Sequence, residues 1–197
     1  MNFYTSYRRS IMAISSNLGF PRIGAQRELK KAVESFWKGA TGEAELMSMA
    51  QELRSRHWKL QKEAGIEHIP SNDFSFYDQV LDAICLVGAV PSRYQHSDAQ
   101  VGLDTYFAMA RGSQKDGVDV TAMEMTKWFD TNYHYIVPEL HAATTFSLSS
   151  TKPIDEYNEA KALGIETRPV LLGPVSFLML GKLRDENAKM EALLDAL

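Results

Sequence analysis

The strongest constraint on the fold is an alternation along the chain. Short apolar stretches run into proline, glycine or polar clusters. Each is followed by a segment whose apolar residues recur every three or four positions. "SNLGFPRIG" reads as a short strand and turn leading into "QRELKKAVESFWKG". There Leu29, Ala32, Val33, Phe36 and Trp37 fall on one helical face, and Gly39 supplies a stop. "GEAELMSMAQELRSRHWKLQKEAG" repeats the pattern up to Gly65. "IEHIPSNDFSFYDQVLDAICLVGAV" reads as a strand, a polar loop and a helix entered near Asp73. "TYFAMARG" is helical and closes at Gly112, and "TAMEMTKWFDTNYHYIVPEL" has a helix-like start and a strand-like middle. "TTFSLSS" reads as a strand and "IDEYNEAKALG" as a helix with a glycine stop. "TRPVLLGPVSFLML" is a buried apolar run broken by Gly173 and Pro174. Strand then helix, repeated, predicts an α/β fold with a parallel sheet, and such folds carry their sites at the strand ends.

Composition narrows the partners. With 197 residues the chain can bury one core. Its net charge of −4 gives no reason to expect nucleic acid or a membrane surface as partner. Basic groups are clustered locally, which suggests a small anionic ligand. The single cysteine, Cys85, lies in the apolar run "AICLVGAV" and reads as a buried small hydrophobe. One cysteine excludes a disulfide framework and fits a reduced, cytoplasmic setting. No segment is long and apolar enough to span a bilayer. The opening "MNFYTSYRRSIMAISS" has two arginines and no acid, a weak likeness to a transit peptide. Met12 opens a natural-looking start, so residues 1–16 are expected to form a disordered extension.

No complete catalytic constellation is legible. The histidines His57, His68, His96, His134 and His141 include no pair at helical metal-site spacing, and Cys85 has no partner cysteine. The nucleophile elbow, P-loop and dinucleotide-binding glycine patterns are missing. Two polar clusters stand out. One carries Arg22, Arg27, Lys30 and Lys31, and the other carries Lys127, Trp128, Asn132, Tyr133 and His134. Lysine and arginine on a rigid frame hold carboxylates or phosphates. A helix start near Arg27 adds its positive dipole end. The plainer reading is a solvated basic face and, for Trp128, Phe129, Tyr133 and Tyr135, core aromatics.

"LGFPRIG…RELKKAVESFWKG", "SNDFSFYDQVLD", "MTKWFDTNYHYIVPEL" and "RPVLLGPVSFLMLGK" closely resemble the amino-terminal barrel of cobalamin-independent methionine synthase, in the same order, from about Asn17 to Leu197. The resemblance implies a TIM-type (βα)8 barrel of which residues 17–197 are roughly the first half. It implies a methyltransferase that moves a methyl group from 5-methyltetrahydropteroyltriglutamate to homocysteine. Zinc, not cobalamin, activates the thiol in that family, and its ligands lie in a carboxy-terminal barrel beyond this chain. The resemblance also carries a folate polyglutamate-binding role to Arg27, Glu28, Leu29, Lys30, Lys127 and Asn132. Of these, Lys30 and Lys127 are expected to meet tail carboxylates and Asn132 to hydrogen-bond. Glu28 is expected to orient the basic groups, and Leu29 to contribute backbone or packing. No catalytic residue and no metal ligand is expected in the chain. The partial barrel is expected to be poorly stable and inactive alone; a non-catalytic folate- or polyanion-binding module, or an inert barrel fragment, is the alternative.

Overall fold

The computed structural model describes residues 13–197 apart from 98–99, 116–117 and 186–188. Most of the extension expected over residues 1–16 therefore lies outside the described residues. Helices α1 (Glu28–Trp37) and α2 (Glu43–Glu63) come first, then strand β1 (Ile69–Ser71) and helix α3 (Gln79–Leu86). Helix α4 (Leu103–Arg111) is followed by two antiparallel pairs, β2 (Ser113–Lys115) with β3 (Val118–Val120) and β4 (Met125–Lys127) with β5 (His134–Ile136). Strand β6 (Glu139–Leu140), helix α5 (Lys152–Ala162), strand β7 (Thr167–Pro169), helix α6 (Pro174–Leu180) and strand β8 (Lys182–Leu183) complete the order.

The frame is parallel. Strand β1 pairs with β7, from Ile69 opposite Thr167 to Ser71 opposite Pro169. Ser16 forms a parallel bridge with His68. Three chain segments thus lie side by side, with helices in each connection. Between β1 and β7 the Thr167 hydroxyl donates to the Ser71 hydroxyl at 3.0 Å, both buried. Helices α2 and α5 meet this frame through Trp58 and Ala160, which pack with Ile69 and Ile165. The Trp58 indole N–H donates to the Pro70 carbonyl at 3.0 Å, so this large buried ring leaves no polar atom unmet. A larger cluster joins α1, α2, α3 and α4 through residues such as Leu29, Leu53, Ile84 and Met109. Cys85 lies within it, as the sequence predicts.

The expected barrel is seen only as an α/β arrangement. Among the described residues the strands form four separate two-stranded pairs, and no closed barrel is present. Closure needs a neighbour on both edges of every strand, whereas among the described residues β7 pairs with β1 alone.

Local expectations differ from the structure where distant partners intervene. The segment 144–150 is not a strand: Ser147 and Ser149 donate their backbone N–H groups to the carbonyls of Val87 and Leu86 at the end of α3. The helix-like start of "TAMEMTKW" is instead coil running into β4, because Val137 N–H bonds to the Glu124 carbonyl and β5 supplies the ladder. Helix α3 starts six residues after Asp73. Its N-cap is Asp78, whose carboxylate accepts from Leu81 N–H at 2.9 Å. Asp73 instead accepts from Phe20 N–H at 2.7 Å.

Trp58→Ala removes the ring shared by α2, β1 and α5 and strands the Pro70 carbonyl. It should lower stability by about 3–5 kcal/mol, read as a shift of the urea midpoint. A loss below about 1 kcal/mol would show that this cluster does not hold the frame together.

Candidate functional site

Parallel strands end on the same side, and the chain that leaves them lines a cavity of about 510 Å³. Leu18, Gly19 and Phe20 follow the first segment, Asn72 and Asp73 follow β1, and Val170 to Leu172 follow β7. Trp128, Lys152 and Phe177 close its walls.

A polar lock shapes this cavity. Asn72 sits at φ 58°, a left-handed conformation that asparagine tolerates better than most residues. Its N–H donates to Glu156 at 2.9 Å and its side-chain amide to the Val170 carbonyl at 2.7 Å. The Lys152 ammonium donates to Asn72 Oδ1 at 2.9 Å and lies 3.0 Å from Glu156 and 3.4 Å from Asp82. Its three donors are thereby directed at three partners. Burial works against the charge on Lys152, but Asp82 and Glu156 outweigh it and hold the ammonium above its ordinary range. Asp82 also accepts from Ser75 and Tyr106, each at 2.7 Å. Asp73 is pushed up by burial, which its bond from Phe20 N–H only partly offsets. Lysine 152 is therefore engaged in the frame.

The six residues expected to touch a ligand lie elsewhere, and none lines the cavity. Arg27 is the exposed residue at the N-terminus of α1, at φ 59°. Glu28 folds back: its carboxylate accepts from Gln26 N–H at 2.8 Å and from the Arg56 guanidinium at 2.6 Å. Gly24 stands at φ 81°, a conformation that favours glycine, and a Cβ there would displace the Glu28 carboxylate. Backbone hydrogen bonding to Glu28, then the Arg56 bond, holds its carboxyl down to about 2. The Leu29 side chain is 2% exposed and belongs to the core. Lys30 is exposed and pairs with Glu34 at 3.5 Å, one turn on. Such an exposed pair is worth a few tenths of a kcal/mol, so an incoming carboxylate can compete for the ammonium.

Lys127 ends β4, exposed and opposite His134 in the register. Asn132 is exposed in the connecting loop, and its carbonyl faces His134 Nδ1 at 3.0 Å. Asp78 anchors this hairpin as well as capping α3. It accepts from Tyr133 O–H at 3.0 Å and from Ile136 N–H at 3.0 Å. Burial raises the Asp78 carboxyl against these bonds. Burial and the adjacent Asp78 push the Tyr133 phenol up to about 12, so it remains a donor. Arg22 completes the link: it donates to the Tyr77 carbonyl at 2.6 Å and its guanidinium stands 5.9 Å from the Tyr133 ring centre. The turn at Tyr77–Asp78 thus ties the opening loop and the hairpin to one support. Sequence reasoning missed Asp78, whose signal was its place just before the apolar-periodic "QVLDAICL". It also missed Lys152, which has no local signal.

Zinc chemistry does not fit these residues. Among the described residues no group of three or more histidine, cysteine, aspartate or glutamate side chains could hold a metal ion. Burial, with Asp82 adding to it, pushes the Cys85 thiol far from the thiolate a metal binds. Among the described residues no helix is long and apolar enough to cross a membrane.

The Glu28–Arg56 pair sets a pH dependence. The carboxyl sits at about 2 in the fold against an ordinary 4.5, so its ionised form is stabilising. That contribution is fully present above pH 4.5 and is lost as the pH falls toward 2. Thermal midpoints of the unaltered chain and Glu28→Gln should differ by a constant amount above pH 4.5, the gap closing toward pH 2. A gap independent of pH throughout this range would refute the assignment.

Residues 14–197 match the family model described as cobalamin-independent synthase, N-terminal domain. The chain is 61% identical over 191 residues to the 5-methyltetrahydropteroyltriglutamate–homocysteine methyltransferase of Salinibacter ruber, a match covering 94% of this chain and 25% of that protein. It is 58% identical over 182 residues to the protein of the same name from Xylella fastidiosa strain M23, covering 92% of this chain and 24% of that protein. The Parvibaculum lavamentivorans protein of that name is 61% identical over 171 residues, covering 87% and 22%. The chain spans about a quarter of the length of these curated relatives. A family match over nearly all the described residues, with identities near 60%, makes this chain a member of the cobalamin-independent synthase N-terminal domain family.

Proposed function

We propose that this chain is the folate-tail-binding part of a zinc-dependent, cobalamin-independent methyltransferase that carries the methyl group of 5-methyltetrahydropteroyltriglutamate to homocysteine, forming methionine in the cytoplasm. Its residues 17–197 are the first part of an amino-terminal (βα)8 barrel. The observation that carries the reading is the division of labour among the basic groups. Arg54, Arg93 and Lys152, each no more than about a third exposed, are engaged by carboxylates with N–O distances of 2.6 to 3.0 Å. Lys30 and Lys127, by contrast, are exposed on rigid mounts, with Arg27 beside the first and Asn132 beside the second.

A triglutamate tail is a row of carboxylates. Lysines meet such groups as point charges, and two of them at fixed positions favour a tail over a single carboxylate. Arg27 adds a guanidinium fork, and Asn132 a neutral amide able to donate to a carboxylate or peptide oxygen. Glu28 acts indirectly: occupied by Arg56, it fixes the turn that presents its neighbours. Leu29 contributes packing beneath them. These groups position the donor and take no covalent part. Homocysteine and its zinc belong to the remainder of such an enzyme, because the described residues offer no suitable ligand set. The same observation favours, as the second reading, a module that binds the folate tail without catalysis.

Titration calorimetry separates these expectations from a merely basic surface. The triglutamate donor should bind more tightly than the monoglutamate, with an affinity that falls as salt rises. Lys30→Ala and Lys127→Ala should each weaken triglutamate binding by about 0.5–1 kcal/mol, about two- to fivefold, with little effect on the monoglutamate. Leu29→Ala should lower the urea midpoint instead. Equal affinity for the two donors, or lysine variants indistinguishable from the unaltered chain, would overturn the proposal.

A further inference from the structure

The tip of the β4–β5 hairpin holds a group that neither packing nor the tail contacts use. Phe129 is 75% exposed. Its backbone stands at φ 50°, in the left-handed region that a bulky side chain rarely adopts. A phenylalanine that is both strained and solvated contributes little to a fold, and such residues concentrate at binding sites. Hydrogen bonds close the tip around it. Trp128 N–H donates to the Tyr133 carbonyl at 2.7 Å, and the Thr131 hydroxyl donates to the Trp128 carbonyl at 2.6 Å. The Phe129 ring meets Trp128 edge-on, with centroids 5.3 Å apart, and Trp128 in turn meets Tyr135 edge-on at 5.8 Å. Trp128 lines the cavity at the strand ends, and Lys127 precedes it in the chain. An edge-on neighbour supports a ring while leaving faces open, and open ring faces accept flat conjugated groups.

We propose that Phe129, propped by Trp128, is a stacking platform for a flat aromatic ring joined to the carboxylate tail of the ligand. The proposal rests on the tail-binding reading above and adds the group that distinguishes a ring-bearing polycarboxylate from a bare one. In the pteroyl donor the group concerned is the aminobenzoyl ring, whose carbonyl forms the amide to the first glutamate. Lys127 then takes a carboxylate while Phe129 takes the ring, on the same hairpin tip.

The test compares p-aminobenzoyl-triglutamate with plain triglutamate on the unaltered chain, Phe129→Gly and Phe129→Tyr, by titration calorimetry and thermal melting. The ring-bearing probe should bind the unaltered chain about tenfold more tightly than plain triglutamate. That preference should vanish in Phe129→Gly and return in Phe129→Tyr. Glycine relieves the positive φ, so its thermal midpoint should stay level or rise. If the unaltered chain binds neither probe, the tail-binding reading falls and takes this proposal with it. If it binds both equally, or Phe129→Gly keeps the preference, only the stacking platform is overturned. A glycine variant that melts well below the unaltered chain makes the ring a packing element and overturns it too.

Discussion

One ammonium group fixes where three parts of this chain meet. Lys152 opens α5, and its partners Asn72, Asp82 and Glu156 come from the end of β1, from α3 and from one turn further along α5. A charge largely removed from water is tolerable only when its donors are met, and here two carboxylates and an amide oxygen meet them. Because Asn72 also bonds to Val170 beyond β7, the same lock holds two parallel strand ends at a fixed separation. The cavity above them is a consequence of that arrangement. Its wall is shaped by groups whose polar atoms are already engaged with one another.

Asp78 has the matching role for the outer part of the site. A single buried carboxylate caps α3 and accepts from both Tyr133 and Ile136 of the hairpin. With Arg22 bonded to the neighbouring Tyr77 carbonyl, residues some fifty positions apart on either side converge on one turn. Presentation of Lys127 and Asn132 is thus a matter of rigid support rather than of local chain preference. Among the basic groups, Arg54, Arg93 and Lys152 hold carboxylates within the frame, whereas Lys30 and Lys127 are exposed. A charge inventory of the sequence does not separate the two.

Much of the helical content was legible in the residues. The three- and four-residue spacing of Leu29, Ala32, Val33, Phe36 and Trp37 marks α1, and the longer run to Gly65 marks α2. Burial of Cys85 followed from its apolar surroundings. The basic cluster at Arg27 and Lys30 was visible as composition, and its role came from family resemblance. Sequence alone did not show that Glu28 is turned onto Arg56, that Lys152 is occupied, or that Phe129 is displayed at the hairpin tip rather than packed with Tyr135.

By itself, then, the sequence determined α1, α2, α4 and α5 with their glycine stops, because a helix satisfies its hydrogen bonds within a few residues and its periodicity is written locally; the start of α3 and the helix α6 inside an apolar run, where Val175 and Met179 are exposed, were not legible. Tertiary structure alone decided the rest. Residues 144–150 became an extended connector because the carbonyls of Leu86 and Val87 were available, and residues 125–127 became a strand because 134–136 lay opposite. The open parallel frame was decided in the same way: a strand's partners are supplied by distant chain, and β7 has a partner on one edge only among the described residues.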